Sequence, residues 1–142
     1  MTSSNPRRYL ETQVMTASRE QLLLMLYDGA LRFCEQGREA MAAKEAERVN
    51  DLLVRAQRIV IELWCALDPR VEPELAKSLG GLYSFLYLRL VHAKVHQDAA
   101  AVGEVIGLLT TLRQAWGEAV EQLRGESARA KAADASSIQV SG

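Results

Sequence analysis

Between Val49 and Leu67 the apolar residues Val49, Leu52, Leu53, Ala56, Ile59, Val60, Leu63 and Leu67 recur at steps of three and four. That period places them on one stripe of an α-helix, the seam by which a helix packs at a shallow angle against its neighbours in a bundle. The same period occurs four times along the chain, and the two-residue alternation of strands is convincing nowhere. An all-α fold follows.

The breaks between stripes fix the element boundaries. Ser18, with Gln21 three residues on, has the spacing of a capping box and opens a first helix that ends near Ala43. The second runs from about Ala46 to Leu67, where Asp68-Pro69 interrupts it, because proline disfavours helical geometry in the residue before it. The third begins at Pro73, a residue suited to a first turn, and continues to about His96, with Leu75, Leu79, Leu82, Leu86, Leu90 and Ala93 as its core. Gly80-Gly81 lies inside it and marks either a close helix contact or a bend. The fourth starts near Asp98 and carries Val102, Val105, Ile106, Leu109, Leu112, Trp116, Val120 and Leu123 to about Arg124. Short connections make consecutive helices antiparallel, so the pattern predicts an up-and-down four-helix bundle over residues 18–124. Residues 125–142 are small and polar and read as a flexible tail, whereas residues 1–17, with Tyr9, Leu10, Val14 and Met15, read as a capping segment.

The first helix carries more apolar surface than one core needs. Leu22 to Tyr27 is an uninterrupted apolar run, and six consecutive positions point all round a helix. Leu22, Leu26, Phe33 and Ala40 form one stripe, and Leu23, Tyr27, Ala30, Cys34 and Met41 form its neighbour. Tyr83, Tyr87 and Val91 add a further stripe on the third helix. A bundle of this size has one interior, so the surplus predicts an external groove for amphipathic helices of a partner, covered in its absence by the amino-terminal segment.

Other functional classes find little support. The net charge of −1 lacks the basic excess that phosphate neutralisation requires, which argues against a nucleic-acid partner. No apolar run reaches the ~18 residues of a membrane span, and the start MTSSNPRRYLETQ has no hydrophobic signal region, so a cytosolic protein is expected. Cys34 and Cys65 each sit in an apolar helical pattern and read as buried free thiols. His92 and His96 share a helix face, but HAKVH has alanine where a zinc protease places its glutamate base, and no Glu-x-x-His motif of a di-iron bundle is present. No phosphate loop or nucleophile motif occurs, so no catalytic residue, metal or cofactor is expected. Asp28, between the apolar run and Gly29, reads equally as a partner contact or a locally paired carboxylate.

The stretch YLETQVMTASREQLLLMLYDGALRF, Tyr9 to Phe33, resembles the flagellin-specific export chaperones known as FliS, which share a tyrosine, then Val-x-Thr-Ala, then Leu-Met-Leu-Tyr-Asp-Gly-Ala. Arg55-Ala56-Gln57, Leu82-Tyr83, Arg89-Leu90-Val91 with Ala93, and Arg113-Gln114-Ala115-Trp116 continue the resemblance in order to about Glu121. Arg19, Ser84 and Leu88 depart from it, standing where the family commonly has proline, aspartate and arginine. The resemblance implies a small antiparallel bundle that binds the carboxyl-terminal segment of flagellin in the cytosol, prevents its premature polymerisation and passes it to the flagellar export gate. Together with the exposed apolar stripes it implies Tyr9, Val14, Leu23, Tyr27, Ile59, Tyr83, Tyr87 and Val91 as partner contacts, and if the amino-terminal segment covers the doubled apolar face, Tyr9 is its latch. Two rival readings remain at this point: a homodimeric structural bundle or adaptor for another export component, and an enzyme or metal carrier built on His92 and His96.

Overall fold

The computed structural model describes residues 18–141, which form four α-helices in sequence: α1 (Arg19–Ala42), α2 (Ala46–Cys65), α3 (Pro73–His96) and α4 (Ala99–Ser141). Tyr9, Val14 and the whole of the proposed capping segment lie outside the described residues. Each boundary has a local cause. Gln21 N donates to Ser18 Oγ and Ser18 N donates to Gln21 Oε1, both at 3.2 Å, which satisfies free donors at the start of α1 reciprocally. After α1, Lys44 takes a left-handed conformation (φ 59°) and Glu45 N reaches back to Ala40 O at 2.9 Å, so the chain reverses within a few residues. After α2, Asp68 Oδ1 accepts from Arg70 N at 3.0 Å and shapes the turn that leads into Pro73 at the head of α3. Gln97 (φ 51°) ends α3, and Asp98 caps α4 by accepting from Ala101 N at 3.1 Å.

α1 packs on α2 and α4, and α3 packs on the same two helices, so the four close into a ring with α1 and α3 on a diagonal. The interior mixes branched residues with small ones. Val49, Leu53, Val60, Val102, Val105 and Leu109 are fully buried beside Ala30, Ala56, Ala93 and Ala101, whose short side chains let the helices approach closely. At Gly80 a β-carbon would stand 3.4 Å from Trp64 Nε1, while Gly81 faces open space. Close contact, with no break in α3, therefore accounts for the first of the two glycines.

Two boundaries differ from the sequence expectation. α2 ends at Cys65, and Ala66 and Leu67 form its turn. More importantly, α4 does not end near Arg124 but continues to Ser141. Gly125 keeps a helical conformation, and the five alanines beyond it, with Glu126, Arg129 and Lys131, are strong helix formers with no proline to stop them. No residue from Glu121 to Ser136 is buried, so this extension projects past the bundle. No helix among the described residues is long and apolar enough to cross a membrane.

Candidate partner-binding surface

Where α1 begins, α2 ends and α3 begins, the bundle leaves an open groove of about 260 Å³. Leu23 from α1, Leu63, Ala66 and Leu67 from the end of α2, Val71 from the connection, and Leu75 and Ala76 from α3 supply apolar walls. Tyr83 and Trp116 complete the lining, and Arg19, Glu20, Asp68 and Glu72 bring charge to it. Arg19 holds the two helix ends together by donating from its guanidinium to Ala66 O at 2.7 Å. Val71 is 72% exposed and Leu75 42%, values unusual for residues of their type, so the apolar surface continues out of the groove.

Behind the groove lies a polar hub. The Tyr27 hydroxyl on α1 and the Tyr83 hydroxyl on α3 meet across the diagonal of the bundle, and Trp116 Nε1 on α4 donates to Tyr27 at 3.1 Å. Burial pushes the Tyr27 hydroxyl far above the usual range for a tyrosine, and its bond to Tyr83 adds to the effect. Burial also raises Tyr83. Both side chains therefore keep their protons at any physiological pH and act as neutral hydrogen-bonding groups.

A second apolar region lies on the outside of α2 and α3. Trp64 is half-exposed over Gly80, and Ile61 stands one turn before it. On α3, Phe85, Leu88 and Val95 share a face by their spacing and are 43%, 62% and 65% exposed. Leu88 stands where the resembled family commonly has arginine, so this face is greasier here than that pattern implies. Leu22, Leu23 and Leu26 line a shallow depression with Cys65 and Ala66, Leu24 lines another with α4, and Met25 is exposed. The surplus of the Leu22–Tyr27 run is thus only half covered by the described residues.

The structure divides the sequence-derived contact residues. Leu23, Ile59, Tyr87 and Val91 are half-buried at the bundle surface. Tyr27 and Tyr83 are not surface residues: they are 0% and 1% exposed, and each hydroxyl is engaged in the hub. As a direct contact Tyr27 is corrected to a core residue, whereas Tyr83 reaches the groove only at its inner wall. Trp116, assigned to the core from sequence, lines the same groove. Asp28 is paired with Arg113, whose Nε donates to its Oδ1 at 2.9 Å, and the bond joins α1 to α4. Cys34 is buried, and burial pushes its thiol up to about 12, but Cys65 is exposed, contrary to expectation, because the end of α2 turns it away from the core. His92 Nε2 lies 3.2 Å from Asp98 Oδ2, and its ring lies tilted by 43° against that of His96 with centroids 4.5 Å apart.

Three comparisons bear on this arrangement. Residues 1–123 match the family model described as flagellar protein FliS. The flagellar secretion chaperone FliS of Bacillus subtilis (strain 168) is 37% identical over 125 residues, covering 87% of this chain and 92% of that protein. The protein of the same name from Escherichia coli (strain K12) is 33% identical over 112 residues, covering 78% and 82%. A crystal structure of a flagellar chaperone from bacteria superposes with a TM-score of 0.70 over 82% of this chain and 94% of the other, at 22% identity, which establishes a shared fold.

Proposed function

The chain belongs to the FliS family of flagellar secretion chaperones, and from that membership we propose that it holds the carboxyl-terminal segment of flagellin in the cytosol until export. It is an export chaperone for a secreted flagellar substrate. The observation that carries the finer reading is the family match along residues 1–123. Physical support comes from apolar surface that the bundle does not use: the groove bounded by Leu23, Leu67 and Leu75, and the half-exposed Ile61, Trp64, Phe85 and Leu88. A segment that orders on binding gives up several kcal/mol of its gross interaction, so a stable hold needs a long apolar contact of this kind.

Within this reading Leu23, Ile59, Tyr87 and Val91 contact the client directly, and Tyr83 does so from the inner wall of the groove. Tyr9 and Val14 contact the client as well, and Tyr9 is the latch by which the amino-terminal segment covers apolar surface when no client is present. The loaded chaperone then docks at the export gate. Titration calorimetry with a peptide covering the last several dozen residues of the same organism's flagellin tests the proposal. A saturable one-to-one isotherm with a negative heat-capacity change is expected, and a flat trace for a chain that is folded by circular dichroism would overturn it. A stable dimer by light scattering, unchanged on adding that peptide, would favour the homodimeric alternative.

A further inference from the structure

The outward face of α3 carries a regular spacing that the bundle leaves unused. Gly81, Leu88 and Val95 stand seven residues apart, so they lie one above another on the helix, and Phe85 and His92 flank them. Leu88 and Val95 are exposed and Phe85 is half-exposed. A β-carbon on Gly81 would meet nothing within 4 Å, so the seam has a hole at one end and a protruding valine at the other. Trp64 of α2, which packs over Gly80, borders the hole.

A seam of this kind fits a second copy of itself. Antiparallel pairing about a two-fold axis at Leu88 sets each residue opposite the one equally far on the other side of the axis. Leu88 then meets its own counterpart, and Val95 of each copy enters the space over Gly81 of the other, a knob in a hole. The same register brings Lys77 to Ala99, beside Asp98. Lys77 is exposed and has no ion pair among the described residues, whereas Asp98 presents a partly solvated carboxylate next to His92. Opposite charges therefore meet at both ends of the seam, and Arg89 beside it is held by Glu104 at 3.0 Å.

The area is sufficient for a reversible dimer. Covering the exposed parts of Trp64, Phe85, Leu88 and Val95 removes on the order of 400 Å² of apolar surface from each copy, since an aromatic side chain carries roughly 150–250 Å² and an aliphatic one somewhat less. At the usual apolar share this corresponds to about 1,300 Å² buried in total, within the range of specific interfaces and near its lower end.

We infer that the free chain forms a homodimer by antiparallel pairing of α3 about Leu88, with Val95 of each copy over Gly81 of the other and Lys77 paired with Asp98 at both ends. The dimer stands on this seam alone. Its consequence for export rests on the chaperone function proposed above: Val91, one of the client contacts proposed there, lies at the edge of the seam, so client and second copy exclude each other.

Sedimentation of the full chain over a concentration series is expected to show a monomer–dimer equilibrium in the micromolar range, and a monomer at every concentration overturns the proposal. Leu88→Arg sets two like charges on the axis and raises the dissociation constant at least about tenfold. Leu123→Arg, at another exposed leucine, leaves it within about twofold, and equal effects of the two variants overturn the assigned face. In a Cys65→Ser background, chains carrying Gly81→Cys and Val95→Cys cross-link to each other on mild oxidation. Neither cross-links to itself, because the two positions are about 21 Å apart along the helix. Self-links, or no link at all, overturn the register. Full-length flagellin of the same organism, added before oxidation, is expected to bind one chaperone chain and to prevent the cross-link, and flagellin bound to a dimer that still cross-links overturns the exclusion. No binding of flagellin overturns the chaperone function and the exclusion with it, while the dimer stands on sedimentation and cross-linking.

Discussion

A β-carbon placed on Gly37 of α1 would lie 2.7 Å from Cδ2 of Leu53 on α2 and 3.3 Å from its Cγ. Leu53 is fully buried, so it has no room to withdraw. α1 and α2 can approach as closely as they do only because position 37 has no side chain.

Gly37→Ala therefore destabilises the bundle by about 1–3 kcal/mol, the usual cost of overpacking, although alanine is the better helix former. Gly81→Ala is the control. It sits in α3 with nothing within 4 Å of the added carbon and gains up to ~1 kcal/mol from helix propensity alone. Denaturant unfolding of the two variants checks the opposite signs.

Much of this frame was legible before any coordinates. Ser18 and Gln21, Pro73 and Asp98 mark helix starts through local chemistry that a sequence displays directly, and each does so in the structure. Rotation about the helix axis was not legible. Leu23 and Tyr27 lie one turn apart on the same stripe, yet Leu23 is half-buried at the groove while Tyr27 is fully enclosed, because α3 crosses the diagonal at Tyr83. Periodicity says which residues share a face and leaves open which part of that face the neighbouring helices cover. The groove behaves likewise. It joins the start of α1 to the stretch from Leu63 to Ala76, and Trp116 of α4 enters it only through packing. At Gly125 the composition suggested a tail, but a glycine ends a helix only where it adopts a left-handed turn, and here it does not.

The α3–α4 corner supplies a pH dependence. Asp98 has its carboxyl held below the ordinary value, first by the bond from Ala101 N and then by His92. A carboxylate whose pKa is lower in the folded chain stabilises the fold above its unfolded pKa near 3.8, and that contribution is lost as pH falls through the lowered folded value. Asp98→Asn should flatten the stability curve in that acidic window. Thermal unfolding followed across pH checks the sign.

The two cysteines should differ sharply as nucleophiles. Cys34 is enclosed, and burial pushes its thiol up to about 12, so it presents almost no thiolate at neutral pH. Cys65 is exposed at the end of α2. A native chain treated with a colorimetric disulfide reagent is expected to release one equivalent quickly and the second only on unfolding. Cys65→Ser removes the fast phase.

Asp28 and Arg113 make a well-formed bond between α1 and α4, but both side chains are partly solvated. An ion pair in such a setting contributes at most ~1 kcal/mol and weakens with salt. Asp28→Asn should lower stability by no more than that at low ionic strength, with the difference shrinking in high salt. A larger loss would mean that the carboxylate has a second role, such as positioning the helix around Gly29.

The extension of α4 is held by different forces from the rest of that helix. Val102, Val105 and Leu109 are locked in the core, whereas from Glu121 to Ser136 nothing is buried. A helix that buries no face has only propensity and its own backbone bonds to sustain it, and in water those leave short helices marginal. Amides beyond Glu126 are therefore expected to exchange with solvent orders of magnitude faster than those between Val102 and Leu112, although one continuous helix contains both. A chain shortened after Gly125 should then unfold within about 2 °C of the full chain, since a shift of that size corresponds to only a few tenths of a kcal/mol in a domain of this length. Strong protection of the extension in the isolated protein would require a cover that the bundle itself does not provide, and a second copy of the chain lying along α4 would be the first to look for by light scattering.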